Sequence, residues 1–120
     1  MAEGFARHKY GDIIEAASAG LMPASIIQPE TYQVMSEKGV SLEGMAPSEL
    51  GLVEADRIDF VVNMSGIAVL HRLKGFEGGN IVWSVRDPIG EPLEIYRKVR
   101  DRIEELVDGL AARLGSASEA

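Results

Sequence analysis

The sequence predicts an α/β domain, a three-layer sandwich of helices around a small, mostly parallel sheet. Three observations carry that expectation. The run Ile58-Asp59-Phe60-Val61-Val62-Asn63-Met64-Ser65-Gly66 is β-branched and aromatic, nearly uncharged, and closed by a turn signal. A continuous apolar run, as opposed to an alternating one, marks a strand covered on both faces. Near the end of the chain, Tyr96, Val99, Ile103, Leu106, Val107, Leu110 and Leu114 recur at three-and-four spacing, the pattern of a long amphipathic helix. The whole chain then reads helix, strand, helix, short helix, strand, strand, helix, an order that suits a layered α/β fold.

Residues 1–9 read as a helix, with Ala2, Phe5, Ala6 and Lys9 on one face and Tyr10-Gly11-Asp12 as the stop. No N-cap precedes it, so it has the look of the back end of a longer helix. Residues 14–19, built of small side chains, read as a strand ending at Gly20, and residues 21–27 as a loop. Pro29 suits a first helical position and Glu30 the positive end of the helix dipole. Thr31, Val34, Met35 and Lys38 follow one face, and Gly39 suits the C′ position. After an irregular stretch, Ser48 caps a short helix to about Glu54.

Beyond the central strand, residues 67–73 suggest a helical turn. The loop Gly75-Phe76-Glu77-Gly78-Gly79-Asn80 then leads into a short strand, Ile81-Val82-Trp83. Pro92 opens the last helix, which is expected to bury Tyr96, Val99, Ile103, Leu106 and Leu110 against the sheet and to stop at Gly115. Residues 1–115 form one domain on this reading, and residues 116–120 a frayed tail.

Composition narrows the partners. Of 120 residues, 12 are Lys or Arg and 19 Asp or Glu, a net charge of −7. Such a balance disfavours nucleic acid and anionic membranes. No apolar run approaches the roughly 20 residues of a membrane helix, and no signal peptide opens the chain, so a cytoplasmic location is expected. There is no cysteine. Disulfides, thiolate metal sites and thiol nucleophiles are thereby excluded within these residues. His8 and His71 lack ligand spacing and read as surface residues, so neither a metal nor a cofactor is expected.

The loop from Trp83 to Gly90 leaves a strand's carboxyl end and enters the long helix. Asp87 there is well placed for general acid work, with Pro88 stiffening its approach; Asp-Pro before a helix is equally a turn starter. The 75–80 loop lacks the Lys-Ser/Thr of a Walker loop and leads into a strand, so it reads as a hairpin-like surface loop. Ser65, His71 and Asp87 can be written as a triad, but nothing around Ser65 resembles a nucleophile elbow. The cations of Tyr96-Arg97-Lys98-Val99-Arg100-Asp101-Arg102 read as the solvated face of the last helix, paired with Glu94, Asp101 and Glu105.

Taken together, six segments resemble the low-molecular-weight protein tyrosine phosphatases and their relatives, the thiol-dependent arsenate reductases. They are residues 1–8, Ser18-Ala19-Gly20, the helix from Pro29 to Gly39-Val40, and Ala55-Asp56 ahead of the 60–64 strand. The others are Trp83 with Asp87-Pro88 and Gly90, and the helix containing Arg100-Asp101-Arg102-Ile103. In that family a first strand leads into a loop holding a cysteine nucleophile and an arginine. The N–H groups of that loop and the following helix N-terminus hold phosphate or arsenate. The resemblance implies that residues 1–8 match the helix just after that loop and that Asp87 matches the aspartate that protonates the leaving group.

The resemblance also implies that the first strand and its phosphate loop have no counterpart in these residues. Phosphate-ester or arsenate binding is then expected only where such a loop is supplied. Two functional readings follow: a phosphatase or arsenate reductase domain that is catalytically inert by itself, or a non-catalytic binding or dimerising module built on that fold. The first is a shortened product of an enzyme gene, the second a natural short form. In the family the first strand lies between those matching residues 14–19 and 58–64. Its absence predicts either direct pairing of those two or pairing supplied by a second chain in a homodimer.

Overall fold

The computed structural model describes residues 1–19, 27–45 and 55–119. The chain folds as two compact units, one of Met1–Ala17, Ile27–Met45 and Arg86–Ala120, the other of Ser18–Ile26 and Ala46–Val85. The first holds α1 (Ala2–Tyr10), α2 (Pro29–Ser36) and α3 (Leu93–Glu119). The second holds β1 (Phe60–Asn63) and β2 (Gly79–Val82).

The first unit is organised around α3. Pro92 precedes it, and the N–H groups of Ile95 and Tyr96 donate to its carbonyl at 2.9 and 3.3 Å. A proline there costs the helix nothing, because its missing N–H falls where no intrahelical acceptor exists. Tyr96, Val99, Ile103, Val107 and Ala111 are buried along one stripe, together with Arg100. Within this unit α3 packs against α1 and α2, whose Phe5, Val34 and Met35 are fully enclosed. Burial of each such side chain contributes about 1.5–3 kcal/mol.

The expected stripe needs correcting at its far end. Leu106 and Leu110 are only half-buried, whereas Val107 and Ala111 are enclosed. Inside its own unit the stripe packs against α1 and α2. Gly115 does not end the helix, which runs to Glu119. Glycine in a helix costs only about 1 kcal/mol relative to alanine, and no proline follows to break the turn.

The end of α2 is set by Gly39. Its φ of 73° lies in the left-handed region, and two reverse bonds close around it: Val40 N–H to the Met35 carbonyl at 3.0 Å and Gly39 N–H to Ser36 at 2.9 Å. This is a Schellman closure, with Met35 and Val40, both buried, in the positions that usually touch. The returning chain packs under α1 at Gly4, where a Cβ would fall 2.7 Å from Leu42 Cδ2 and 3.2 Å from Met35 Cε. A glycine is what permits that approach.

Residues 14–19 are not a strand. They carry no ladder, Ile13 beside them is 57% exposed, and the Ala16 carbonyl accepts from the Arg7 Nε at 3.2 Å. Small, mostly exposed residues bury too little apolar surface to favour a strand here. Among the described residues the ladder of the central strand is with β2, so the expected direct pairing with 14–19 is not seen among them. The helix expected from Ser48, and nearly all of the 21–27 loop, lie outside the described residues.

In the second unit β1 and β2 pair in parallel, Phe60 opposite Gly79 and Asn63 opposite Val82. The ladder is flanked by Gly79 N–H to the Asp59 carbonyl at 3.1 Å and Trp83 N–H to Asn63 at 2.9 Å. Both strands are where the sequence placed them, with shifted ends: β1 is shorter than the apolar run, and β2 begins before Ile81. The β1 residues are half-buried, not enclosed on both faces as the run suggested. Because the pair is parallel, the Gly75–Asn80 loop belongs to a crossover and not to a hairpin. Val69, Leu73 and Trp83 are buried, and the expected helical turn appears as a single 3₁₀ turn at Leu70–Arg72.

Candidate active-site loop

Asp87 lies on the connection that enters α3. Pro88 restricts the backbone of the residue before it to extended conformations. The Asp87 Oδ1 accepts the N–H of Ile89 at 3.0 Å, and Glu91 N–H donates to the Pro88 carbonyl at 2.9 Å. Gly90 completes that turn with a φ of 82°, which favours glycine. The turn-starting role and the functional role read from the sequence are thus compatible. One carboxylate oxygen holds the turn, and the side chain is exposed.

Tyr96, one turn into α3, is enclosed. Burial pushes its phenol pKa up, and the negative charges of Glu30 and Asp87 push it further.

The row of cations on α3 is not uniformly a solvated face. Lys98 and Arg102 are, with loose partners in Glu94 at 3.8 Å and Glu105 at 3.5 Å. Arg100 is 7% exposed. It donates from Nη1 to the Val34 carbonyl at 3.0 Å and to Glu37 at 2.7 Å, and from Nε to Asp101 at 2.9 Å. Arg97 meets Glu37 through Nε and Nη2, the latter at 2.8 Å. The Arg97 guanidinium above all, then that of Arg100, holds the Glu37 carboxyl down at about 2 against the opposing effect of desolvation. The sequence reading missed Arg100, although its place four residues after Tyr96 and three before Ile103 puts it inside the apolar stripe.

Ser65 is held by its own loop. Its hydroxyl donates toward Asn63 Oδ1 at 2.6 Å, and Asn63 Nδ2 donates to the Ile67 carbonyl at 2.7 Å. Nothing there resembles an activated nucleophile. His8 and His71 are exposed, as expected. Among the described residues no three His, Asp or Glu groups converge to hold a metal, and no helix is long and apolar enough to cross a membrane. An open cleft of about 390 Å³ at the end of α2 is lined by Tyr32, Ser36, Gly39, Val40, Ser41 and Leu42. It contains neither Asp87 nor any ionisable group other than the Tyr32 phenol, so the loop is the better candidate.

The sequence model of the low molecular weight phosphotyrosine protein phosphatases matches residues 1–120. The chain belongs to that family. Within it, the chain is 31% identical over 119 residues to a glutaredoxin arsenate reductase of Synechocystis sp., covering 95% of this chain and 87% of that protein. It is 32% identical over 101 residues to a putative arsenate reductase of Halobacterium salinarum, covering 84% and 70%. A solved arsenate reductase in its phosphate-binding state superimposes with a TM-score of 0.83 at 30% identity, over 94% of this chain and 86% of that one. The α/β phosphatase fold, seen among the described residues as a parallel strand pair and three α-helices, is therefore the fold of this chain.

Proposed function

We propose that residues 1–120 carry the general-acid half of a phosphatase or arsenate reductase site and not its nucleophilic half. The observation that carries this reading is that a chain matched along its length by the family contains no cysteine. The family's chemistry runs through a thiolate that attacks phosphorus or arsenic, and methionine sulfur cannot replace it. Asp87 is assigned the role of proton donor to the leaving group. Its exposed position on a loop restricted by Pro88, with the left-handed turn position filled by Gly90, supports that role. Without a thiol among these residues, no phosphocysteine or arsenocysteine forms for it to assist.

The test has two arms. The purified 120-residue chain is expected to show no hydrolysis of p-nitrophenyl phosphate and no arsenate reduction with added thiols. Joining a family strand and phosphate loop ahead of Met1 is expected to produce phosphatase activity, and Asp87→Ala is then expected to lower kcat by about 10²–10⁴-fold. Turnover by the 120-residue chain that survives both Asp87→Ala and competition by a phosphate analogue would overturn the reading.

A further inference from the structure

The loop that presents Asp87 is tied unequally on its two sides. On the C-terminal side, backbone bonds link it to α3: Glu91 N–H to Pro88, then Ile95 and Tyr96 N–H to Pro92. On the N-terminal side, among the described residues, the tether on the residue before Asp87 is a side-chain one. Arg86 Nη2 meets Glu91 Oε1 at 2.7 Å. That ion pair spans the turn and joins its entry to its exit.

The geometry points to Arg86 and Glu91 as positioning residues that fix the direction in which Asp87 offers its free oxygen. Three torsional freedoms decide that direction. Pro88 restricts the backbone of Asp87 itself. The Ile89 N–H restrains the carboxylate through Oδ1. What remains is the approach of the chain at residue 86, and this is what the Arg86–Glu91 contact closes. The pairing also leaves neither charge free to compete for the Asp87 carboxylate or its ligand: the guanidinium donates to Glu91, and Glu91 accepts from it.

Exposed ion pairs contribute little to global stability, and both partners here are well exposed, at 60% and 37%. The effect is therefore local, on the turn and not on the fold. The functional meaning of the clasp rests on the reading of Asp87 as the acid; the clasp itself is tested separately from that reading.

The test is water-exchange NMR on the 120-residue chain at low ionic strength, reading the Ile89 amide that binds Asp87. Arg86→Gln and Glu91→Gln are each expected to speed Ile89 exchange by roughly two- to five-fold, the size of an exposed ion pair. Exchange at Ile103 in α3 should not change. The swapped pair Arg86→Glu with Glu91→Arg is expected to restore the slower rate. In an Asp87→Ala background the same single changes should leave Ile89 exchange unaltered, because the acceptor through which they act is gone. Unchanged Ile89 exchange in the single variants, no recovery in the swap, or the same acceleration without Asp87 would each overturn the proposal. Failure of Asp87→Ala to slow the loop-supplied enzyme would overturn the assignment of the acid while leaving these exchange results standing, so the two outcomes are distinguishable.

Discussion

Arg100 Nη1 stands 2.7 Å from Glu37 Oε1 and, from the same nitrogen, 3.0 Å from the Val34 carbonyl. The neighbouring carbonyls at the end of α2 find backbone partners: Gln33 accepts from Glu37, Met35 from Lys38 and Val40, and Ser36 from Gly39. Val34 is satisfied by a side chain from α3 instead. One arginine thus supplies a helix cap, an ion pair and a link between two helices.

Replacing it with an apolar side chain of similar length isolates the polar part of that role. Arg100→Met is expected to destabilise the chain by about 1–3 kcal/mol, chiefly by leaving the Val34 carbonyl without a donor. Urea titration should show a lower midpoint with an unchanged slope. An unaltered midpoint would mean that water serves Val34 equally well.

Glu37 sets an acid limit. Its carboxyl is held at about 2 in the folded chain, against an ordinary 4.5. A depressed carboxyl contributes stability that is present above the unfolded value and lost as the pH falls toward the folded one. The loss belongs between pH 4.5 and 2. Glu37 is a third exposed, so salt is expected to weaken the contribution. Thermal melts across that window should show a shallower decline for Glu37→Gln than for the parent chain. Parallel curves would refute the assignment.

At the alkaline end the relevant group is Tyr10, whose hydroxyl meets Asp108 at 2.5 Å and ties α1 to α3. That hydrogen bond, then desolvation, raises the phenol above its usual 10. The raised value gives stability that is complete below the unfolded pKa and disappears as the pH rises through the folded one. Tyr10→Phe is expected to cost about 1 kcal/mol at neutral pH and to remove that part of the alkaline decline, as followed by circular dichroism from pH 8 to 12. Retention of the full decline would assign it to Lys9, whose ammonium also pairs with Asp108 at 2.7 Å.

Gly78, just before β2, is the most crowded glycine among the described residues. A Cβ on it would overlap the carbonyl oxygen of Asp59 and press on Phe76 Cε2. Backbone cannot yield as a side-chain tip can, so Gly78→Ala is expected to destabilise the sheet unit by about 1–3 kcal/mol. Amide exchange in β1 and β2 should accelerate more than in α3. Equal acceleration throughout would show that the strain is not local.

Much of this was legible in the residues. Periodicity located α3 because one face recurs at helical spacing whatever lies opposite. Pro29 and Gly39 bracketed α2 because each acts through its own backbone restrictions. The apolar run around Phe60 marked β1, and Asp87-Pro88 with Gly90 marked the turn that leads into α3. Arg97 and Arg100 were misread because their partners, Glu37 and the Val34 carbonyl, are distant in sequence, and 14–19 because a strand needs a ladder that its own residues do not specify.

The sequence by itself determined the elements whose cause is local, the absence of any thiol, and the family, since spacing, ring-locked prolines and cysteine content need no third dimension. Only the tertiary structure decided that Arg100 turns inward to the Val34 carbonyl, that residues 14–19 form no ladder, and that Arg86 closes on Glu91 around the aspartate. Ion pairs and strand ladders are made between groups that the chain brings together late. Nothing in the composition of either partner encodes the distance at which they meet.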